Sequence, residues 1–156
     1  MRHRWRKGRL HVSGPHQRAM GRNLIASLFE HGRVTTTMPK AKAFRPIAER
    51  LITLARKGNV ARGEGDAEGK AAYLHAVRLA ARSLPTKGAV KRLFDVVAPA
   101  VRERPGGYTR ILRLSGNRLG DNASRALFEL VDPPLVEETP EPEEGKKKRE
   151  KAASAK

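Results

Sequence analysis

The fold is decided at residues 33–39, where Arg33-Val34-Thr35-Thr36-Thr37-Met38-Pro39 joins a short strand to the start of a helix. The first five of these residues are rich in β-branched side chains, which favour a strand. Thr37 can cap the following helix, and Pro39 fits its first turn, where a missing N–H costs little. Residues 33–37 are therefore predicted to form a strand between two helices.

A helix is predicted on the N-terminal side of this strand, from about Pro15 to Glu30. Its end at His31-Gly32 suits glycine, which readily takes the left-handed conformation of a helix C-terminus. Apolar residues recur at steps of three and four, which is typical of a helix with one buried side. These residues are Met20, Leu24, Ile25 and Leu28.

The elements on the C-terminal side alternate between helices and strands. A second helix is predicted to stop near Gly58, with Ala43, Ile47, Leu51 and Leu54 as its apolar stripe and Pro46 on its polar side. The remaining predicted elements are a glycine-rich loop at 58–69, helices at 70–83 and 87–98, and strands at 108–114 and 124–131. The order predicts a two-layer α+β fold with a small mixed sheet and helices packed on one face.

The charge distribution divides the chain into three parts. An extended basic N-terminal arm is predicted at residues 1–14, since the first 22 residues hold seven Lys and Arg and the first carboxylate is Glu30. Of the 33 Leu, Ile, Val and Phe residues, 31 precede Asp132, so the globular domain is predicted at 15–132. The tail at 133–156 is expected to stay disordered, although its lysine run also resembles a nuclear signal.

The net charge of +17 predicts a polyanionic partner, because phosphates exchange condensed counterions for Lys and Arg. Trp5 can stack on an unpaired base, and Tyr108 is expected to share the exposed face of a strand with Arg110, opposite Ile111. The alternative interpretations are that the cations lie on ordinary solvated helix faces and that Tyr108 only covers the edge of the sheet. The predicted RNA-binding residues are Arg2, His3, Arg4, Trp5, Arg6, Lys7, Arg9, His16, Arg18, Arg22, Lys40, Lys42, Arg104, Tyr108, Arg110 and Arg118.

Catalytic and metal sites are not expected. The chain has no cysteine, its five histidines lack metal-ligand spacing, and no serine lies in a nucleophile-elbow pattern. The glycines at 63–69 fit a flexible loop, because their spacing is wrong for a dinucleotide and three carboxylates would repel its phosphates. No apolar run reaches membrane-spanning length. A soluble, cytoplasmic protein without cofactor, metal, membrane contact or small-molecule substrate is expected.

A series of ordered motifs resembles the bacterial large-subunit ribosomal protein seventeen family, across roughly residues 1 to 132. The chain opens with Met-Arg-His-Arg, as that family does, and 16–23 is similar to its His-Arg-x-x-Met-x-Arg-Asn segment. Pro46, the loop at 59–69 and the tail depart from the family pattern. The other matching segments are Thr36 to Lys42, Leu51 to Ala55, Gly106 to Ile111, Arg118 to Ala123, and Phe128 to Val131.

The resemblance implies a structural constituent of the large ribosomal subunit that binds 23S rRNA without catalysis. It also implies a position near the outer rim of the peptide exit tunnel, beside large-subunit proteins twenty-two and thirty-two. A free DNA- or RNA-binding regulator is the alternative, and it would need a symmetric dimer or a groove-reading helix, for which the sequence shows no pattern.

Overall fold

The computed structural model describes residues 10–63 and 65–131 and confirms the α+β class. Most of the predicted arm, residues 1–9, and the predicted tail lie outside the described residues. No helix in the described part of the chain has the length and apolar character to cross a membrane. The elements are α1 Gly14–His31, β1 Arg33–Thr37, α2 Met38–Gly63, α3 Ala67–Ser83, α4 Lys87–Arg92, a π-helical turn Leu93–Val97, α5 Ala98–Ala100, β2 Thr109–Asn117 and β3 Ser124–Leu130.

The three strands form one antiparallel sheet in the order β1-β3-β2. Phe128 in the central strand lies opposite Val34 on one side and Ile111 on the other. The expectation of a mixed sheet is therefore wrong. The edge strands β1 and β2 do run in the same direction, as strands joined by a helical crossover usually do, but β3 lies between them and opposes both.

One face of the sheet packs against the helices. Ala126, Phe128 and Leu130 alternate along β3 and are buried, together with Phe29 of α1 and Phe44 of α2. The period of two then places the intervening residues of β3 on the other face, which the described helices leave open. The prediction that the helices pack on one face is confirmed.

Helix α2 is longer than predicted, and glycine explains the error. Gly58 was expected to end the helix, yet it is buried inside α2, where an added Cβ would lie 3.0 Å from the Cβ of Ala76 in α3. The backbone of Gly69 lies against the carbonyl group of Ala61 in the same way. Both glycines allow α2 and α3 to pack closely. The two helices occupy most of the predicted loop at 58–69, since α2 ends at Gly63 and α3 begins at Ala67.

The apolar stripe of α2 also differs from the predicted one. The helix is continuous through the exposed Pro46, but Ile47 is exposed and Phe44 is buried instead. Phe44 packs against Gly21 of α1, where an added Cβ would lie 2.7 Å from the ring. This close approach fixes α1 against α2, because no side chain larger than hydrogen fits between the Gly21 backbone and the ring.

Candidate nucleic-acid interface

The described residues include nine of the sixteen predicted RNA-binding residues. The other seven, Arg2, His3, Arg4, Trp5, Arg6, Lys7 and Arg9, lie outside the described part of the chain. Five of the nine are on the first two helices, and we call them the helical basic face. They are His16, Arg18, Arg22, Lys40 and Lys42.

Chain geometry brings the start of α2 beside the middle of α1. The five residues of β1 span about 16 Å, which matches the roughly 15 Å between Gly21 and His31 along α1. Because β1 carries the chain back by that length, α2 begins beside the middle of α1. The contact between Gly21 and Phe44 shows this arrangement directly, since Phe44 lies one turn after Lys40. The start of α2 therefore adjoins the α1 residues that flank Gly21.

Most of the helical basic face is accessible to a partner. His16, Arg18, Arg22 and Lys42 are exposed, and Lys40 is half-buried. The guanidinium group of Arg22 donates a hydrogen bond to the carbonyl oxygen of Arg82, in the last turn of α3. A cation at that position stabilises the carbonyl end of a helix. A guanidinium has five N–H donors, so Arg22 can fill this role and still contact a phosphate.

Arg110 lies on the face of the sheet that the helices leave open, as predicted. It stands opposite Glu129 in the register, and its guanidinium group forms an ion pair with that carboxylate. Arg33 flanks Glu129 from the other side, so a row of two arginines with one glutamate between them crosses the sheet. More than half of the Arg110 side chain is exposed, which leaves its outer edge accessible.

The prediction that Tyr108 shares this exposed face is wrong. Its ring is only 1% exposed, and its hydroxyl donates to the carbonyl oxygen of Pro105 at 3.4 Å. Tyr108 lies immediately before β2 and after Gly107, whose φ of +70° turns the chain. The period-two alternation of the strand therefore cannot be extended back to it. A ring buried in this way has no face on which a base can stack, so Tyr108 fits the alternative of covering the sheet edge.

Glu49 of α2 holds the start of β2, a role that the sequence did not reveal. Its carboxylate accepts hydrogen bonds from the backbone N–H groups of Tyr108 at 3.1 Å and Thr109 at 3.0 Å. The hydroxyl of Thr109 donates to it as well, at 2.6 Å. These three bonds tie α2 to the residues directly before Arg110. The partners are about sixty residues apart, so no local pattern could have indicated the contact.

Arg118 lies in the turn between β2 and β3 and is bound to Asp121. Its Nε donates to Oδ1 of Asp121 at 2.8 Å, and a second guanidinium nitrogen contacts Oδ2. This bond, helped by the N–H of Ala123, lowers the pKa of Asp121 to about 2, and the same pair raises the pKa of Arg118. Asp121 and Asn122 form part of this turn, since Asn122 has a φ of +51° and donates its N–H to the Arg118 carbonyl.

Arg104 lies in the loop that leads from α5 to β2 and is half-buried. Its backbone carbonyl accepts a hydrogen bond from the guanidinium group of Arg56 in α2. This bond ties the loop to α2, two turns away from the contact that Glu49 makes. The structure thus places Arg104 near the sheet edge rather than on the helical basic face. In residues 10–63 and 65–131, no three His, Cys, Asp or Glu side chains cluster as metal ligands.

Comparison with known proteins identifies relatives across the described domain. The family model for ribosomal protein L17 matches residues 20–131. Proteins described as large ribosomal subunit protein bL17 are similar to most of the chain. The protein of Akkermansia muciniphila is 45% identical over 134 residues, covering 86% of this chain and 88% of its own. The protein of Syntrophotalea carbinolica is 42% identical, covering 85% of this chain and 76% of its own. The protein of Desulfotalea psychrophila is 44% identical, covering 84% of this chain and 90% of its own.

Proposed function

Because this chain belongs to the ribosomal protein L17 family, we propose that it binds 23S rRNA and supports the architecture of the large ribosomal subunit. Family membership itself makes the chain a structural protein of that subunit. The proposal adds the ligand and the surfaces that bind it. The observation that carries it is the helical basic face, whose exposed cations lie on two helices that the contact of Gly21 with Phe44 packs together.

The charge balance supports an RNA backbone as the ligand. Acidic and basic residues from Glu137 onward are equal in number, six of each, so the preceding part of the chain carries the whole net charge of +17. Arg18 and Lys42 are exposed and lie on helices that fix their spacing. Contacts of Lys and Arg with phosphate position a protein on its nucleic acid, and they release counterions.

The arm and the helical basic face form one continuous binding surface in this proposal. Helix α1 begins at Gly14, at the end of the arm, and its exposed His16 and Arg18 continue the line of cations. An rRNA backbone that follows the arm would therefore reach α1 next and then the start of α2. Arg110 and Arg33 on the open face of the sheet provide a second, separate contact.

The location within the subunit is part of the same proposal. The resemblance that the sequence shows to its family supports a position near the outer rim of the peptide exit tunnel. It also supports large-subunit proteins twenty-two and thirty-two as neighbours, and the cytoplasmic ribosome as the place where the protein acts. Non-enzymatic rRNA binding fits the described residues, because their cations are presented on an exposed surface while Glu49, Asp121 and Glu129 are each bound to a neighbour.

Salt-dependent binding of 23S rRNA tests the proposal. Deleting residues 2–12 removes five cations, and the double variant Arg18→Ala/Lys42→Ala removes two from the helical basic face. Every phosphate that is no longer neutralised should reduce the slope of log affinity against log salt by about 0.7 to 0.9. Arg78→Ala, which removes an exposed arginine from α3, is the matched control and should leave the slope unchanged.

Two results would contradict the proposal. If the deletion, the double variant and the control all have the slope of the unmodified chain, these surfaces do not contact phosphate. If the protein leaves the ribosome during a high-salt wash and is recovered on DNA or other RNA, the alternative of a free regulator is correct. Retention on washed large subunits, with no such retention for the deletion variant, is the expected outcome.

A further inference from the structure

The turn that joins β2 to β3 carries an apolar side chain that the fold leaves uncovered. From Arg113 to Asn122, every residue except Leu114 is exposed. Leu119 at the end of this turn is 99% exposed. Beyond the pairing of Thr37 with Arg125, β2 and β3 continue without β1 as a two-stranded extension. We call this extension and its base, residues 113–125, the ribbon. A fully exposed leucine contributes nothing to the core and is accessible to a partner.

The turn is ordered by its own hydrogen bonds. Arg118 donates its backbone N–H to the carbonyl oxygen of Ala123 at 2.9 Å. The side-chain amide of Asn117 donates to the side-chain oxygen of Asn122 at 2.8 Å. The ion pair between Arg118 and Asp121 closes the turn around Leu119. Gly120, with a φ of +104°, takes a conformation that a larger residue would strain. Because the turn is already formed, a partner that binds Leu119 loses little conformational entropy in ordering it.

The charges of the ribbon point to a polyanion. Its one acidic residue, Asp121, is neutralised by Arg118. Arg113 and Arg125 are exposed, and the register places them on opposite faces. Arg113 lies opposite Ala126, whose side chain faces the helices, whereas Arg125 lies opposite Thr37 on the open face. A groove with phosphates on both walls is complementary to cations on both faces of the ribbon. A pocket in a protein would be complementary to them only if it carried acidic groups on both sides.

We propose that the ribbon enters a groove of 23S rRNA, with Leu119 as an apolar wedge and Arg113 and Arg125 on the flanking phosphates. This inference rests on the proposed function and assigns it a third surface. The minor groove of an RNA helix is wide and shallow and exposes base edges and 2′-hydroxyl groups, so a narrow ribbon can reach it. Proteins that bind the minor groove of DNA insert apolar side chains between base steps, and Leu119 would make the equivalent contact on RNA.

Replacing Leu119 separates the apolar contact from the charged ones. Leu119→Ser should weaken binding of 23S rRNA roughly tenfold, because its apolar surface no longer becomes buried on binding, and it should leave the salt slope unchanged. Arg113→Ala/Arg125→Ala should lower the slope by about 0.7 to 0.9 for each phosphate contact. Leu74→Ser, at a half-exposed leucine of α3, is the matched control and should bind like the unmodified protein.

Hydroxyl-radical footprints on 23S rRNA complete the test. We expect Leu119→Ser to remove protection at one site that deletion of residues 2–12 leaves protected. Unchanged affinity and footprint in both ribbon variants would overturn the inference. A ribbon variant that binds rRNA normally but fails to enter subunits would also overturn it, since the ribbon would then dock on a protein. If the unmodified chain shows no salt-dependent rRNA binding, the proposed function itself fails and the ribbon proposal falls with it.

Discussion

Glu49→Ala should destabilise the domain strongly, although the residue lies on the surface of a helix. The substitution leaves three donors without their acceptor, the N–H groups of Tyr108 and Thr109 and the Thr109 hydroxyl. Thr109 is only 2% exposed, whereas 21% of the Glu49 side chain is exposed. Water can therefore replace part of the missing hydrogen bonding but not all of it.

The magnitude follows from the number of donors left unpaired. A buried donor without a partner costs about 1–3 kcal/mol, and hydrogen bonds to a charged group are stronger than neutral ones. Counting two of the three donors as unpaired at about 1.5 kcal/mol each gives a decrease of about 3 kcal/mol in the free energy of unfolding. For a domain of this size that corresponds to a fall in Tm of roughly 10 °C. Glu49→Gln keeps an acceptor oxygen and should be destabilised by about half as much.

Urea denaturation of these variants measures the decrease. Glu103→Ala, which removes an exposed carboxylate, is the matched control and should change the free energy of unfolding by less than about 0.5 kcal/mol. A double-mutant cycle with Thr109→Val isolates the bond between the hydroxyl and the carboxylate, and we expect the two effects to be less than additive. A decrease below about 1 kcal/mol for Glu49→Ala, or strict additivity in the cycle, would refute the idea that Glu49 anchors β2.

Two further predictions concern glycine packing and the ribbon. Gly69→Ala should lower the free energy of unfolding by about 2 kcal/mol, because its Cβ would meet the backbone of α2. Gly63→Ala, where an added Cβ meets nothing within 4 Å, should be neutral or slightly stabilising in the same urea denaturation. Asp121 should titrate near pH 2 when its carboxyl group is followed by NMR. Its stabilising contribution to the turn is therefore fully present above pH 3.8, the ordinary pKa of this carboxyl group, and disappears as the pH falls through about 2. Arg118→Ala should return that titration to the ordinary range, and an unchanged midpoint would contradict the ion pair.

Local patterns are sufficient to predict most of the elements. The β-branched run predicts β1 with the observed bounds, and His31-Gly32 ends α1 where the structure ends it. Both signals act over a few residues, since strand preference and a left-handed cap are set by the residue itself and its neighbours. The second predicted strand stops at residue 114, whereas β2 runs to Asn117, because Gly116 and the irregular pairing between Arg113 and Asn117 extend it beyond the regular alternation.

Long-range packing explains what the sequence could not predict. Gly58 and Gly69 resemble helix breakers, yet each removes a side chain where α2 meets α3. Tyr108 resembles a strand residue with a free face, yet the turn at Gly107 buries it. The glycine contacts join residues of different helices, and no local pattern reports them. The exposed cations of the candidate site were predictable from composition, but the packing of the two helices that carry them depends on Gly21 and Phe44.

Three of the few acidic residues of the domain lie where they fix elements that carry its cations. Only ten acids precede Glu137, against 27 basic residues. Glu49 fixes the strand that carries Arg110, Glu129 lies between the two arginines of the sheet, and Asp121 closes the turn of the ribbon. Placing carboxylates at such points stabilises the fold through charge-assisted hydrogen bonds while most of the cations stay exposed. A chain with the same net charge but randomly placed acids would bind polyanions as strongly and would lack fixed surfaces with which to recognise one.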